Sequence, residues 1–206
     1  MTDTPEFHPP ASDLVALFRA HGGRLRVSEA LALGANRYQF YRLRDEGIIE
    51  PVSRGFYRLS ELPSLGHPDL VAVATRFPRA VLCLVSALHW HDITTQIPRQ
   101  IDLAVARNAR FPLLVYPPVR GHRFSPERFR VGVEAHEVDG VPLKVYNPEK
   151  TLADCFAHRN VLGMDVVLEA VRIYRKRRQP QYARIMAYAR ICRVDRVMRP
   201  YLEAVL

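Results

Sequence analysis

The sequence predicts an α+β chain: an N-terminal winged helix-turn-helix, then a mixed α/β region that ends in a helical bundle. Three observations predict it. An Arg- and Tyr-bearing helix signal over residues 36–47 runs directly into a hairpin signal with an Arg-Gly tip. Strands alternate around the Asp139-Gly140 turn, and helical periodicity dominates from Asn147 to the end.

The N-terminal elements follow in order. Asp13 to His21 carries Leu14, Leu17 and Phe18 at helical spacing, and Gly22-Gly23 ends it. Arg24 to Val27 is short and extended. Ser28 is placed to cap a second helix, Glu29 to Leu33, closed by Gly34. Asn36 can cap the third helix, with Gln39 returning the bond to the cap backbone, and Gly47 falls where a helix ends in a left-handed residue. Phe40 and Leu43 form its core stripe, with Ile48 continuing it beyond the cap. Tyr38, Tyr41, Arg42 and Asp45 face the other way, flanked by Arg37 and Arg44. The hairpin then alternates Ile49, Val52, Phe56 and Leu59 with polar residues and turns at Ser53-Arg54-Gly55. Helix, strand, helix, turn, helix, hairpin is the winged-helix order, assigned to residues 12–62, with a flexible N-terminus over 1–11.

That order points to duplex DNA. Arg37, Tyr38, Tyr41, Arg42 and Arg44 on the helix, with Arg54 and Arg58 on the wing, are the candidate DNA contacts. Arg reads guanine edges or phosphate, and Tyr donates to phosphate. Asp45 would repel phosphate, so the first two turns are expected to enter the groove.

Composition bounds the remainder. A hydrophobic share of 48% in 206 residues supports substantial cores. No apolar run approaches the roughly 20 residues that span a bilayer. The polar, proline-bearing N-terminus does not read as a signal peptide, so a cytoplasmic protein without a membrane partner is expected. Cys83, Cys155 and Cys192 give neither a disulfide framework nor a metal quartet. The net charge of +9 suits a polyanionic partner. Residues 1–66 are neutral as a unit, with 8 Arg against 8 acidic residues, whereas residues 151–206 hold 11 basic and 5 acidic. Arg175, Lys176, Arg177 and Arg178 therefore form a candidate second surface for DNA or a partner. A solvated helix end is the alternative.

Beyond a linker-like stretch at 60–67, residues 67–206 read as an α+β domain. A helix is expected over Pro68 to Arg76, a strand over Ala80 to Val85, and a helix capped by Ser86 through His91. A strand follows over Gln100 to Arg107, then a hairpin over Val131 to Tyr146. A helix from Asn147-Pro148 through His158 precedes three more, near Met164 to Arg177, Pro180 to Arg190 and Val194 to Val205. Enzyme chemistry finds little support. His89-x-His91 and Cys155-x-x-His158 are isolated pairs, so no metal or other cofactor is assigned. Asp102, Glu149 and Lys150 resemble a nuclease set only faintly, because Glu and Lys are adjacent at a helix start. There is no nucleophile elbow and no phosphate-binding glycine loop, and no catalytic residue is assigned.

Several segments together resemble the AbiEi-type antitoxin family of type IV toxin–antitoxin and phage-defence systems. They are GRLRVSEA at 23–30, YRLRDEG at 41–47, SRGFYR at 53–58, LVSAL at 84–88, TTQIP at 94–98 and VYNPEKTLADCF at 145–156. The last is the most specific, and Lys150, Thr151 and Asp154 are its signature positions. The resemblance implies a transcriptional repressor whose winged helix binds operator inverted repeats and autorepresses its operon. It also implies a C-terminal antitoxin domain that counteracts a nucleotidyltransferase-like toxin without requiring a stable complex. Read from the residues alone, the 150–154 block is a helix start, with Asn147 or Thr151 capping and Asp154 favouring the helix dipole. Two other readings stay open: a one-component regulator with a ligand-sensing C-terminal domain, and a winged helix fused to a degenerate nuclease.

Overall fold

The computed structural model describes residues 11–53, 55–111, 114–177 and 179–205. The expected flexible N-terminus falls almost wholly outside them. The described residues form two compact units. The first ends at Arg76 and includes Val138–Val141; the second comprises Phe77–Glu137 and the chain from Pro142 onward. Among the described residues no helix is long and apolar enough to cross a membrane.

The first unit is a winged helix-turn-helix. Its elements are α1 (Ala11–Ala20), β1 (Arg24–Arg26), α2 (Val27–Ala32), α3 (Arg37–Asp45), β2 (Ile49–Ser53), β3 (Phe56–Leu59) and α4 (Pro68–Arg76). The three strands form an antiparallel sheet in the order β1-β3-β2. Leu14, Phe18, Leu25, Ala30, Phe40, Leu43, Ile49 and Leu59 make one core, with Phe18 edge-on to Phe40 at 5.8 Å. Two expectations are corrected. The cap of α2 is Arg26, whose backbone N–H donates to Glu29, so Ser28 lies inside the helix. Ile48 is exposed and Ile49 is buried, because Gly47 (φ +69) turns the chain before the strand begins.

The second unit carries a five-stranded sheet in the order β6-β5-β4-β8-β7, built from β4 (Val81–Leu82), β5 (Ile101–Ala106), β6 (Val119–Phe124), β7 (Val133–Val138) and β8 (Val141–Tyr146). Its helices are α5 (Leu84–Trp90), α6 (Pro126–Arg130), α7 (Pro148–Ala157), α8 (Arg159–Leu162), α9 (Met164–Arg175), α10 (Tyr182–Ile191) and α11 (Asp195–Val205). β4 pairs antiparallel to β5 and parallel to β8, while β5 and β6 run parallel in register, Asp102 opposite Arg120. The core joins sheet residues such as Val81, Ala104 and Tyr146 to α7 (Leu152, Phe156), α9 (Val167, Val171) and α11 (Met198, Leu202).

The Asp139-Gly140 turn adopts left-handed conformations at both residues (φ +47 and +76), as a tight primed hairpin turn requires. The strand expected over Ala80 to Val85 stops at Leu82. Leu84 is left-handed (φ +47), and α5 begins there with Cys83 as its cap. Ser86 is therefore inside the helix, where its hydroxyl accepts from the Asp102 backbone N–H at 2.8 Å. β6, α6 and α8 have no counterpart in the sequence reading. β6 lies at the sheet edge, and its charged residues Arg120 and Arg123 suit an edge strand and mask the strand pattern.

Candidate nucleic-acid interface

Helix α3 is fixed at its start by a reciprocal cap. Asn36 Oδ1 accepts from the Gln39 N–H at 2.9 Å, and Gln39 Oε1 accepts from the Asn36 N–H at 2.9 Å. Such a pair satisfies two otherwise orphaned donors and contributes about 1 kcal/mol to the helix start. Phe40 and Leu43 pin the inner face, 3% and 1% exposed. The outer face is thereby set: Tyr38 is 65% exposed and Tyr41 50%, with Arg37, Arg42 and Arg44 exposed around them.

The charges on this face are graded along its length. Arg42 pairs with Glu46 at 3.2 Å, and Arg44 pairs with Asp45 at 2.8 Å while lying over the Tyr41 ring at 5.1 Å. Both acids sit at the C-terminal end, which leaves the N-terminal turn the more attractive to phosphate. Exposed pairs of this kind contribute only about 0–1 kcal/mol, so a phosphate or guanine edge can compete for either guanidinium.

The wing is the β2–β3 hairpin, turned at Gly55 (φ +73), with a register irregularity between Pro51 and Ser53. Arg54 lies outside the described residues. Arg58, expected at the DNA face, is instead 2% exposed. Its Nε lies 3.0 Å from Glu50, and it donates to the carbonyls of Leu62 and Pro63, the latter at 2.7 Å. Through these contacts Arg58 ties the end of the wing to the following segment. Nothing in a strand-period reading reveals that the chain after Leu59 folds back to supply those carbonyls.

The basic stretch in the second unit divides. Arg172, Arg175 and Lys176 line a groove of about 530 Å³ together with Leu168, Tyr201 and Ala204. Arg177, also exposed, donates to the His91 carbonyl and lies 5.8 Å from the Tyr174 ring centroid, which anchors its guanidinium. Arg178 lies outside the described residues.

The Lys150-Thr151-Asp154 block is wholly buried. Asn147 caps α7 by accepting from the Lys150 N–H at 2.8 Å, and the Thr151 hydroxyl donates to the Asn147 carbonyl at 2.8 Å. Asp154 stands seven residues into this ten-residue helix, away from its positive end, which corrects the dipole reading. Its carboxylate takes Lys150 Nζ at 2.5 Å, Arg128 Nε at 2.8 Å and the Cys192 thiol at 3.2 Å. Lys150 lies over the Tyr146 ring at 4.2 Å, and an added Cβ at Gly132 would fall 2.6 Å from its Cβ. The block is a charged core, inaccessible to a partner. Burial pushes the Cys192 thiol up to about 12, with Asp154 adding to the shift. Arg128 is pulled down by burial, but Asp154 outweighs that and leaves it raised.

The nuclease set is dispersed. Asp102 accepts from His122 at 2.9 Å, Glu149 accepts from the Tyr174 hydroxyl and pairs with Arg184 at 3.6 Å, and Lys150 is bound to Asp154. Cys155 is fully buried, and His91 is engaged with the Tyr146 carbonyl at 2.7 Å. Among the described residues no group of three or more His, Cys, Asp or Glu could hold a metal.

Burial holds the imidazoles of His91 and His158 below their ordinary value. The Arg177 charge adds to this at His91, and the Arg128 charge at His158. Unfolding raises both to about 6.5, so the unfolded state binds more protons. The stability they contribute is present above that value and is lost as pH falls through their folded values. The urea midpoint of the second unit, read from Trp90 fluorescence, is expected to fall between pH 7 and pH 5. His91→Gln with His158→Gln is expected to flatten that dependence.

Comparison with known proteins adds three findings. Residues 12–60 match the family model described as "Transcriptional regulator, AbiEi antitoxin". No curated protein matches the chain. Among solved structures, the chain is similar to the Rv2827c protein from Mycobacterium tuberculosis, with a TM-score of 0.52 and 15% identity over 94% of this chain and 80% of that one. That likeness concerns the fold alone.

Proposed function

We propose that this chain, whose residues 12–60 carry the AbiEi antitoxin transcriptional-regulator match, is the DNA-binding antitoxin of an AbiEi-like type IV toxin–antitoxin system active in phage defence. It represses its own operon through operator inverted repeats and counteracts a nucleotidyltransferase-like toxin in the cytoplasm, without catalysis of its own. The observation that carries the reading is the outer face of α3, where a doubly capped helix presents Arg37, Tyr38, Tyr41 and Arg42 to solvent. Helix dimensions allow those residues to enter a major groove about 12 Å wide, where Arg reads a guanine edge and Tyr holds phosphate. Arg44 is a flanking contact.

Residues 67–206, which comprise the second unit together with α4 and Val138–Val141 of the first, are the antitoxin part, and co-expression tests this. Growth should be restored when the full chain is produced with the adjacent toxin gene. It should also be restored, at least partly, by residues 67–206, but not by 1–66. No rescue by the intact chain would refute the antitoxin reading.

Two charge effects separate the surfaces. Arg54→Ala, at the wing tip, is expected to weaken DNA binding with little change in base preference, as removal of a phosphate or minor-groove partner does. Replacing Arg172, Arg175 and Lys176 with Gln is expected to flatten the log–log salt dependence of binding by up to about 0.9 for each phosphate no longer neutralised. Arg177→Gln should flatten that slope less and lower the urea midpoint, because its guanidinium, charged and exposed, is held back by the His91 carbonyl. Gel-shift titrations across a salt series check all three.

A further inference from the structure

The second unit contains a cleft of about 280 Å³ that none of the foregoing uses. Arg120 and His122 of β6, Asp102 of β5 and His158 at the end of α7 line it, and Ile97 and Val161 border it. The parallel pairing of β5 with β6 brings these groups together, with Asp102 opposite Arg120 and His122 two residues on.

Its charges are ordered. Asp102 is 6% exposed; its carboxylate is taken by His122 Nε2 at 2.9 Å, and its backbone N–H is taken by the Ser86 hydroxyl. The acid is thus spent within the protein, where it orients the imidazole ring. Arg120 is exposed beside it, and the Gln100 amide oxygen, in its satisfied orientation, accepts from Arg120 Nε at 2.8 Å, which fixes the guanidinium. A positioned Arg holds an oxyanion by charge-assisted hydrogen bonds, and His122, with Nε2 committed to Asp102, adds a second donor through Nδ1 only as the imidazolium. The mouth is apolar: Ile97 is 82% exposed and Val161 72%. Two large aliphatic side chains left in water on one cleft are a cost that an apolar body would relieve. Leu84, left-handed at φ +47 and fully buried, also lines it, and backbone strain of this kind collects at ligand sites.

The geometry points to a binding site for a small organic anion. Its oxyanion head, a phosphate monoester or a carboxylate, is held by Arg120, with the His122 imidazolium as a second donor. Its apolar body lies against Ile97 and Val161. The cleft volume admits a molecule of a single ring and head group, and the site is separate in kind from the α3 surface.

Calorimetric titration of the full chain with phenyl phosphate, benzoate and inorganic phosphate tests it. Phenyl phosphate or benzoate should bind more tightly than inorganic phosphate, and whichever of the two is stronger identifies the head group. Arg120→Gln, on an exposed edge-strand position, should weaken that binding about tenfold or more while leaving the melting temperature unchanged. Val161→Asp should weaken the two aromatic probes. Three results would overturn the proposal: no heat from either aromatic probe at millimolar concentration, wild-type affinity in Arg120→Gln, or displacement of bound phenyl phosphate by duplex DNA. The last would make the cleft part of a DNA surface.

Discussion

Asp154→Ala is expected to destabilise the second unit by about 3–5 kcal/mol, the cost typical of removing one partner from a buried ion pair. Asp154 and Lys150 are each 0% exposed, so the lysine ammonium would be left with no water to solvate it. Arg128, with 18% of its side chain exposed, would lose its partner as well. The rings of Tyr146 and Phe124, 4.2 and 5.1 Å from the ammonium, attract it but cannot replace a carboxylate. Lys150→Met combined with Asp154→Leu should cost less than Asp154→Ala alone, because removing both charges also removes both desolvation costs. Urea denaturation followed at Trp90, the single tryptophan and a residue of α5, measures this unit. A loss under 1 kcal/mol in Asp154→Ala would show that the pair is solvated or absent. Where the full destabilisation is seen, loss of toxin rescue in Asp154→Ala is a folding defect, since Lys150, Thr151 and Asp154 are each 0% exposed.

How far the sequence carried depends on whether the determining contact is local. The α3 cap rests on residues three apart, and Asn36 and Gln39 behave as their spacing implies. The β7–β8 hairpin turns at Asp-Gly where that signal lies, but β7 begins at Val133 rather than Val131, and its alternation is inverted: Val133 and Ala135 are exposed while Glu134 and His136 are half-buried. Pro68–Arg76 forms as one amphipathic helix with the expected bounds. What failed was non-local. Arg58 looks like any wing arginine until the carbonyls of Leu62 and Pro63 return to it. The Asp102–His122 contact exists only because β5 and β6 run parallel in one register, the two partners lying 20 positions apart. Lys150 and Asp154 did carry a readable signal, an i,i+4 opposite-charge pair whose acid sits in an otherwise apolar Leu-Ala-Asp-Cys-Phe-Ala run. Their burial depends on cover from Phe124, Gly132 and Cys192, which spacing within α7 cannot disclose.

The central claim is that the outer face of α3 reads DNA, and it is met most directly by removing that face while keeping its helix. Arg37, Tyr38, Tyr41 and Arg42 are all exposed, whereas Asn36, Gln39, Phe40 and Leu43 hold the cap and core. Changing the first four to Ala leaves the second four intact. The melting temperature should therefore move little, because surface positions of this kind rarely change stability by more than about 0.5 kcal/mol. Affinity for the DNA upstream of the protein's own gene should fall by roughly a hundredfold. That follows from about 1–3 kcal/mol for an Arg42 base contact together with smaller losses from the tyrosines and Arg37. The measurement is a gel-shift titration at one fixed salt concentration, wild type against the fourfold variant, with a scrambled duplex as reference. The account predicts that the variant binds both duplexes alike and weakly; wild-type affinity and unchanged preference for the upstream DNA would contradict it.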